Sequence, residues 1–158
     1  MWSVDELLPH AGNAILLDTV RHCDDDALVA DAVVAPGGLY SQPDGSLPPW
    51  AGLELMAQAV AAWAGWRARQ DGQPVQLGFL LGTRRYECHV PRFAAGSALA
   101  VTATRSLEDA IGMGVFECSI HQGGQLLALA RLNVYRPPDA AAFMQESFPS
   151  ASDVTSAP

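Results

Sequence analysis

The stretch PPWAGLELMAQAVAAWAGW, residues 48–66, carries only two polar side chains besides the indole N–H groups of its tryptophans: Glu54 and Gln58. An ionised carboxyl buried without partners is costly, or it gives up its charge. A carboxyl kept in such surroundings is suited to acid–base chemistry, handing one proton to a bound reactant or taking one away. Gln58 lies one helical turn beyond Glu54 and can hydrogen-bond its carboxyl, or it can satisfy a local backbone or subunit contact.

Other chemistries find less support. The histidines at 10, 22, 89 and 121 make no HxxxH or HExxH spacing, so no metal is implied. Cys23, Cys88 and Cys118 are odd in number and far apart, which fits reduced thiols in a cytoplasm better than a disulfide framework. The formal charge of −8 disfavours binding to a phosphate backbone. Arginine nevertheless gathers at Arg67, Arg69, Arg84, Arg85 and Arg92, a grouping that could receive an acidic partner.

The elements that must position Glu54 follow from hydrophobic period. A chain of 158 residues, 49% apolar, suits one domain. We place that domain at 1–149 and read 150–158, small and polar, as a disordered tail. Neither a signal peptide nor a membrane span is expected. One helix is expected over roughly 49–70, with Pro48 and Pro49 in its first turn, Ser46 or Asp44 as cap, and Asp71-Gly72 closing it. Two apolar stripes, one through Leu53, Ala57, Val60, Ala61 and Ala64 and another through Leu55, Ala59, Ala62, Trp63 and Trp66, predict burial on nearly all sides. Strands are expected at 14–20 and 27–34 before the helix, and at 76–90, 97–107, 114–121 and 125–136 after it. Their hairpin-length connections point to antiparallel pairing. A sheet of about six strands curled around one helix, its remaining surface covered by a second subunit, is the simple packing solution.

These residues also carry a resemblance. LPHAGNAILLD (8–18), LELMAQA (53–59) and LGTRRYE (81–87), in that order and followed by a strand meander, resemble the hot-dog 3-hydroxyacyl-[acyl carrier protein] dehydratases of the FabZ and FabA type. Within them the chain looks most like the ApeP-like branch found in aryl polyene biosynthesis, where WxGLExMAQ and GFLLGTRRYE occur together. The likeness covers roughly residues 6–136. It implies an α+β hot-dog dimer with sites in tunnels along the subunit interface, a substrate held on an acyl carrier protein, and no cofactor. Glu54 matches the helix carboxylate that acts as the acid. The helix start favours its negative charge while apolar walls oppose it. Backbone N–H groups near Trp50 and Gly52 would polarise the thioester oxygen, with Gly52 either admitting substrate or serving tight packing.

The chain departs from that pattern at one important place. The fatty-acid enzymes carry their catalytic histidine in GHFPG, fourteen residues before the helix acid; counting back from Glu54 reaches Tyr40, in a stretch with no histidine. Tyrosine is a poor base near neutral pH. Three explanations stay open: His10 of LPHAGN supplies the imidazole, a related subunit bearing GHFPG supplies it across a heterodimer, or catalysis is lost. Hot-dog thioesterases also place a carboxylate on this helix, so a thioesterase is the alternative enzyme, and a noncatalytic binding subunit the alternative outside catalysis. Tyr40, Trp50, Gly52 and Gln58 are assigned to substrate binding, Trp63 and Trp66 to packing or tunnel wall, and Asp18 to a turn or ion pair. Arg84, Arg85 and Arg67, with Arg69 near the last, are assigned to the carrier protein or its phosphopantetheine arm. Arg84 and Arg85 are neighbours on a strand, so both cannot line one pocket.

Overall fold

The computed structural model describes residues 1–76 and 78–136. A short helix α1 (Val4–Leu7) and one 3-10 turn (Gly12–Ala14) lead into β1 (Thr19–Cys23) and β2 (Ala27–Val33). The long helix α2 (Ala51–Gln70) follows, then β3 (Phe79–Cys88), β4 (Ala98–Glu108), β5 (Met113–Gln122) and β6 (Gln125–Tyr135). The strands make one antiparallel sheet in the order β1-β2-β4-β5-β6-β3, with α2 lying against β2 to β6. This is the sheet around one helix that the resemblance implies. The expected tail, 150–158, lies outside the described residues.

Side-chain alternation explains which face of the sheet is apolar. Leu28, Ala30 and Ala32 of β2, Leu99, Val101 and Ala103 of β4, and Phe116, Cys118 and Ile120 of β5 are buried, and they share one core with Leu55, Met56, Ala59 and Trp63 of α2. Register keeps the row continuous: Ala30 lies opposite Val101, Val101 opposite Ile120, and Ile120 opposite Ala128. Truncating a side chain as enclosed as Leu55, 1% exposed, costs about 2–5 kcal/mol.

Three expectations are corrected. The first strand begins at Thr19, not at 14, because the backbone groups of Ala14 and Leu16 bond to a side chain of α2 instead of a neighbouring strand. Ladder pairing starts only where the Asp18 N–H donates to Asp31 C=O at 2.8 Å. Neither Ser46 nor Asp44 caps α2: Asp44 accepts from the Ser46 N–H and hydroxyl within their own turn, and the helix opens from Trp50 without a side-chain cap. Finally, α2 is not enclosed on all sides within the single chain. Ala57, Ala61 and Ala64 are only half-buried and face a cleft.

The other end of α2 stops as its sequence predicts. Gly72 adopts φ 68°, the left-handed conformation that a side chain disfavours, and its N–H donates to Arg69 C=O at 3.1 Å. The Gln73 N–H reaches Ala68 C=O at 2.8 Å, which completes a Schellman motif.

Candidate active site

Glu54 stands in the first turn of α2, and Gln58, one turn on, is fully buried. Every polar atom of Gln58 is engaged. Its Oε1 accepts from Leu16 N–H at 2.8 Å, while Nε2 donates to Ala14 C=O at 2.8 Å and to Glu54 Oε1 at 2.9 Å. Since only the carbonyl end of an amide can accept from Leu16, the NH2 end has to face the carboxylate. Gln58 thereby bolts residues 14–16 to the helix and holds Glu54 in place at once.

The same bolt brings His10 to the site. His10 Nε2 lies 3.5 Å from Glu54 Oε1, and both side chains are about one-third exposed or less, at 30% and 27%. Its Nδ1 is buried with no hydrogen-bond partner among the described residues. Both Gln58 and His10 approach Oε1, so Oε2 is the carboxylate oxygen left without a partner among the described residues.

These groups stand at one end of a cleft of about 240 Å³. Ala57, Ala61 and Ala64 form its floor, and Leu80 and Val134, paired across β3 and β6, stand over it. Gln76 and Arg136 lie at its other end. A separate hollow of about 160 Å³ beside Leu55 and Leu99 has Asp18 as its one ionisable lining residue, and that carboxylate accepts from Val33 N–H at 2.6 Å. Asp18 is thus a strand-end residue, whereas Glu54 is the one acid among the described residues that line the other cleft.

Tyr40 packs edge-on against Trp50, ring centroids 5.8 Å apart. Burial and then the nearby Glu54 charge raise its phenol above the ordinary tyrosine value, so Tyr40 keeps its proton near neutral pH. Trp50 is 56% exposed and reads as rim rather than buried wall.

Gly52 turns away from this chemistry. A Cβ there would lie 2.2 Å from the Tyr86 hydroxyl and 3.1 Å from Phe93, so the glycine admits the Tyr86 ring, whose hydroxyl donates to Pro49 C=O, and does not admit substrate. The expected donor set is also reduced. The N–H groups of Ala51, Gly52 and Leu53 bond to the carbonyls of Pro48, Pro49 and Trp50 at 3.0, 3.3 and 3.1 Å. That of Trp50 alone has no partner among the described residues within this segment.

The arginines do not make one patch. Arg67 pairs with Glu108 at 3.1 Å and lies over the Trp63 ring; Arg69 donates to Glu6 C=O at 2.9 Å; Arg85 pairs with Glu87 at 2.8 Å; Arg92 is 4.0 Å from Asp44. Arg84 is exposed and has no side-chain partner among the described residues. It is the extra residue of a β-bulge between Thr83 and Arg85, which disturbs the simple alternation expected of neighbouring strand residues. None of Arg67, Arg84 and Arg85 lines the Glu54 cleft. Arg136, which does, was legible only as the last residue before a Pro-Pro stop. Among the described residues no cluster of three His, Cys, Asp or Glu is placed to hold a metal ion. No described helix is long and apolar enough to cross a membrane.

Comparison with known proteins agrees with this geometry. The dehydratase heterocomplex ApeI:P from Xenorhabdus doucetiae is similar at 34% identity, over 94% of this chain and 99% of that one, with TM-score 0.86. The E. coli PaaI protein of the phenylacetic acid degradation operon matches at 17% identity, over 74% of this chain and 81% of that one, TM-score 0.56. A hypothetical thioesterase with coenzyme A from Streptococcus pneumoniae TIGR4 matches at 11%, over 74% and 83%, TM-score 0.58. These two share the fold alone. No curated protein matches. The family described as ApeP-like, ApeP dehydratase, matches residues 2–145, and with a carboxylate poised in a cleft on the central helix the chain belongs to this aryl polyene branch of the hot-dog dehydratases.

Proposed function

We propose that this chain removes water from 3-hydroxyacyl thioesters borne by an acyl carrier protein, as the acid-donating half of a heterodimer with a second hot-dog subunit. The carrying observation is the state of Glu54: one carboxyl oxygen is held by a fully buried amide, the other is free, and an apolar cleft begins beside it. At position 40, where the fatty-acid enzymes have their base, stands a protonated phenol.

In this reading the partner's GHFPG imidazole takes the proton from the carbon next to the thioester carbonyl. The electron pair of that C–H bond becomes the new double bond. The β-hydroxyl leaves as water after receiving the proton of Glu54. Gln58, bonded to Oε1, directs the proton to Oε2, and the Trp50 N–H and the Tyr40 hydroxyl are the donors assigned to the oxygen of the developing enolate. The likeness to ApeI:P, itself a heterocomplex, supports the two-subunit assembly. Free Cys23, Cys88 and Cys118 are consistent with a cytoplasmic place of work.

A second reading has one observation in its favour: His10 already stands 3.5 Å from Glu54 within one chain. The test separates them. Purified chain alone, partner alone and the two together are offered a carrier-bound 3-hydroxyacyl thioester, and enoyl formation is followed. Activity appearing only in the mixture, and lost when the partner's GHFPG histidine is replaced by alanine, supports the shared site. Dehydration by the chain alone that is lost in His10→Ala supports the one-chain reading. Release of free thiol without enoyl formation overturns both.

A further inference from the structure

The cleft has polar groups at both ends and an apolar middle. From Glu54 its floor runs along α2 through Ala57, Ala61 and Ala64, positions that share one helix face. Ten residues of α-helix make it about 15 Å long. At the far end the Arg136 backbone N–H is fixed to Gly112 C=O at 2.9 Å, and the residue borders the cleft together with Gln76, as both also border the adjoining hollow beside Glu108 and Asp109. The acids beside Arg136 are engaged elsewhere. Glu108 is bound by Arg67 at 3.1 Å, with Arg105 at 3.9 Å, and the Asp109 carboxylate accepts from the N–H groups of Ile111 and Met113, both at 3.0 Å. The guanidinium of Arg136 therefore has no side-chain partner among the described residues.

We infer that Arg136 is a specificity residue that recognises an oxygen-bearing group at the far end of the acyl chain, about 15 Å from Glu54. The inference rests on the acyl reading of the cleft given above. An extended chain advances about 1.2 Å per bond, so a group roughly twelve bonds from the reacting carbon comes level with Arg136. An arginine at the end of an apolar groove is indifferent to a terminal methyl, whereas a carboxylate or another acceptor gains charge-assisted hydrogen bonds there. The same chemistry could come from the phosphodiester of the pantetheine arm. The alanine floor argues against it, because that arm carries amides that an apolar groove leaves unpaired.

Binding, measured by calorimetry on the full chain as isolated, tests this independently of turnover. The probes are two non-reacting amide analogues of the 3-hydroxyacyl thioester on a short thiol-free amine, without phosphate. They have equal length and end about twelve bonds from the β-carbon in either a methyl or a carboxylate. We expect the carboxylate probe to bind the parent about tenfold to hundredfold tighter. In Arg136→Leu that ratio falls to near one, and in Arg136→Lys, which keeps the charge, most of it survives. Equal affinities in the parent overturn the proposal, as does an undiminished ratio in Arg136→Leu. If instead Arg136→Leu weakens only probes carrying a phosphopantetheine phosphate, the residue grips the carrier arm and the acyl-end assignment is wrong. Because dehydration is not the readout, failure here leaves the dehydratase reading standing, and loss of dehydration in a Glu54 variant leaves this one standing.

Discussion

The two ends of α2 carry opposite charges and treat them in opposite ways. At the C-terminal end Arg67 is paired with Glu108, stacked on Trp63 and backed by Arg105, whose guanidinium also lies over that ring. A Schellman turn closes the backbone behind it. At the N-terminal end, Glu54 has a neutral amide at 2.9 Å and an imidazole at 3.5 Å, with no arginine or lysine within ion-pair distance among the described residues. Thirteen residues of helix, about 20 Å, separate the two. One end neutralises its charge and becomes structure. The other holds its carboxyl in position with one oxygen left without a partner among the described residues, and the difference lies in the partner type: a cation neutralises a carboxylate, whereas an amide only orients a carboxyl.

Removing the acid at the N-terminal end is the sharpest way to test this contrast. Glu54→Gln keeps the volume and the hydrogen-bonding capacity toward Gln58 but cannot deliver a proton. With the complete assembly and a carrier-bound 3-hydroxyacyl thioester, kcat/KM should fall about 10²–10⁴-fold, with the unfolding midpoint in urea nearly unchanged. Turnover equal to the parent would make Glu54 a structural residue like Arg67.

The orienting amide comes next. Gln58→Leu matches the apolar surroundings but strands Leu16 N–H and Ala14 C=O, and it frees Glu54. Two buried backbone groups left unpaired should cost about 2–5 kcal/mol in urea unfolding, and the loosened carboxyl about tenfold in kcat. Should stability fall while kcat per folded molecule stays constant, Gln58 acts as a bolt only and not as an orienting group.

How far the sequence exposes this design differs along the chain. The helix, its Gly72 stop and the strands from 98 to 135 are periodic patterns, and the alternation at Leu99, Val101 and Ala103 already names the buried face. Glu54 stands out as the lone acid in a greasy helix. What periodicity cannot carry is contact across long separation. Gln58 reaches Leu16, 42 residues away, and that bond explains why the apolar run at 15–17 is extended without being a strand. Gly52 shows the same limit: a glycine beside a candidate acid suits substrate approach or packing equally well until Tyr86 is seen against it. The arginines cluster in sequence, yet each meets a different acid, Glu108 of β4 for Arg67, Glu87 of the same strand for Arg85 and Asp44 for Arg92, so the cluster dissolves in the fold.

At the opposite end of α2 the expected effects are smaller. Arg67→Ala removes a partly exposed ion pair and a cation–π contact, together about 1 kcal/mol of stability by urea unfolding, with kcat/KM on carrier-bound substrate within about twofold of the parent. A tenfold rise in KM confined to carrier-bound substrate, absent with a short thioester, would show that this end docks the carrier protein and would break the contrast.

The smallest effect tests the wall that both ends share. Burial pushes the Cys118 thiol up to about 12, with the Glu117 charge adding to it, and burial does the same to Cys23, also to about 12. The ordinary thiol value is about 8.5, so the unfolded chain releases these protons at lower pH than the folded one. The native state therefore binds more protons between those values: its stability is intact below about pH 8.5 and declines as pH rises toward 12. Tyr86, raised chiefly by burial, contributes in the same direction from the ordinary tyrosine value upward. In Cys118→Ala the loss of one titrating thiol should make the fall of the melting temperature between pH 9 and pH 11 shallower, leaving the part due to Cys23 and Tyr86. An equally steep fall in the variant would mean that Cys118 ionises freely while folded, and that water reaches the sheet face on which α2 rests.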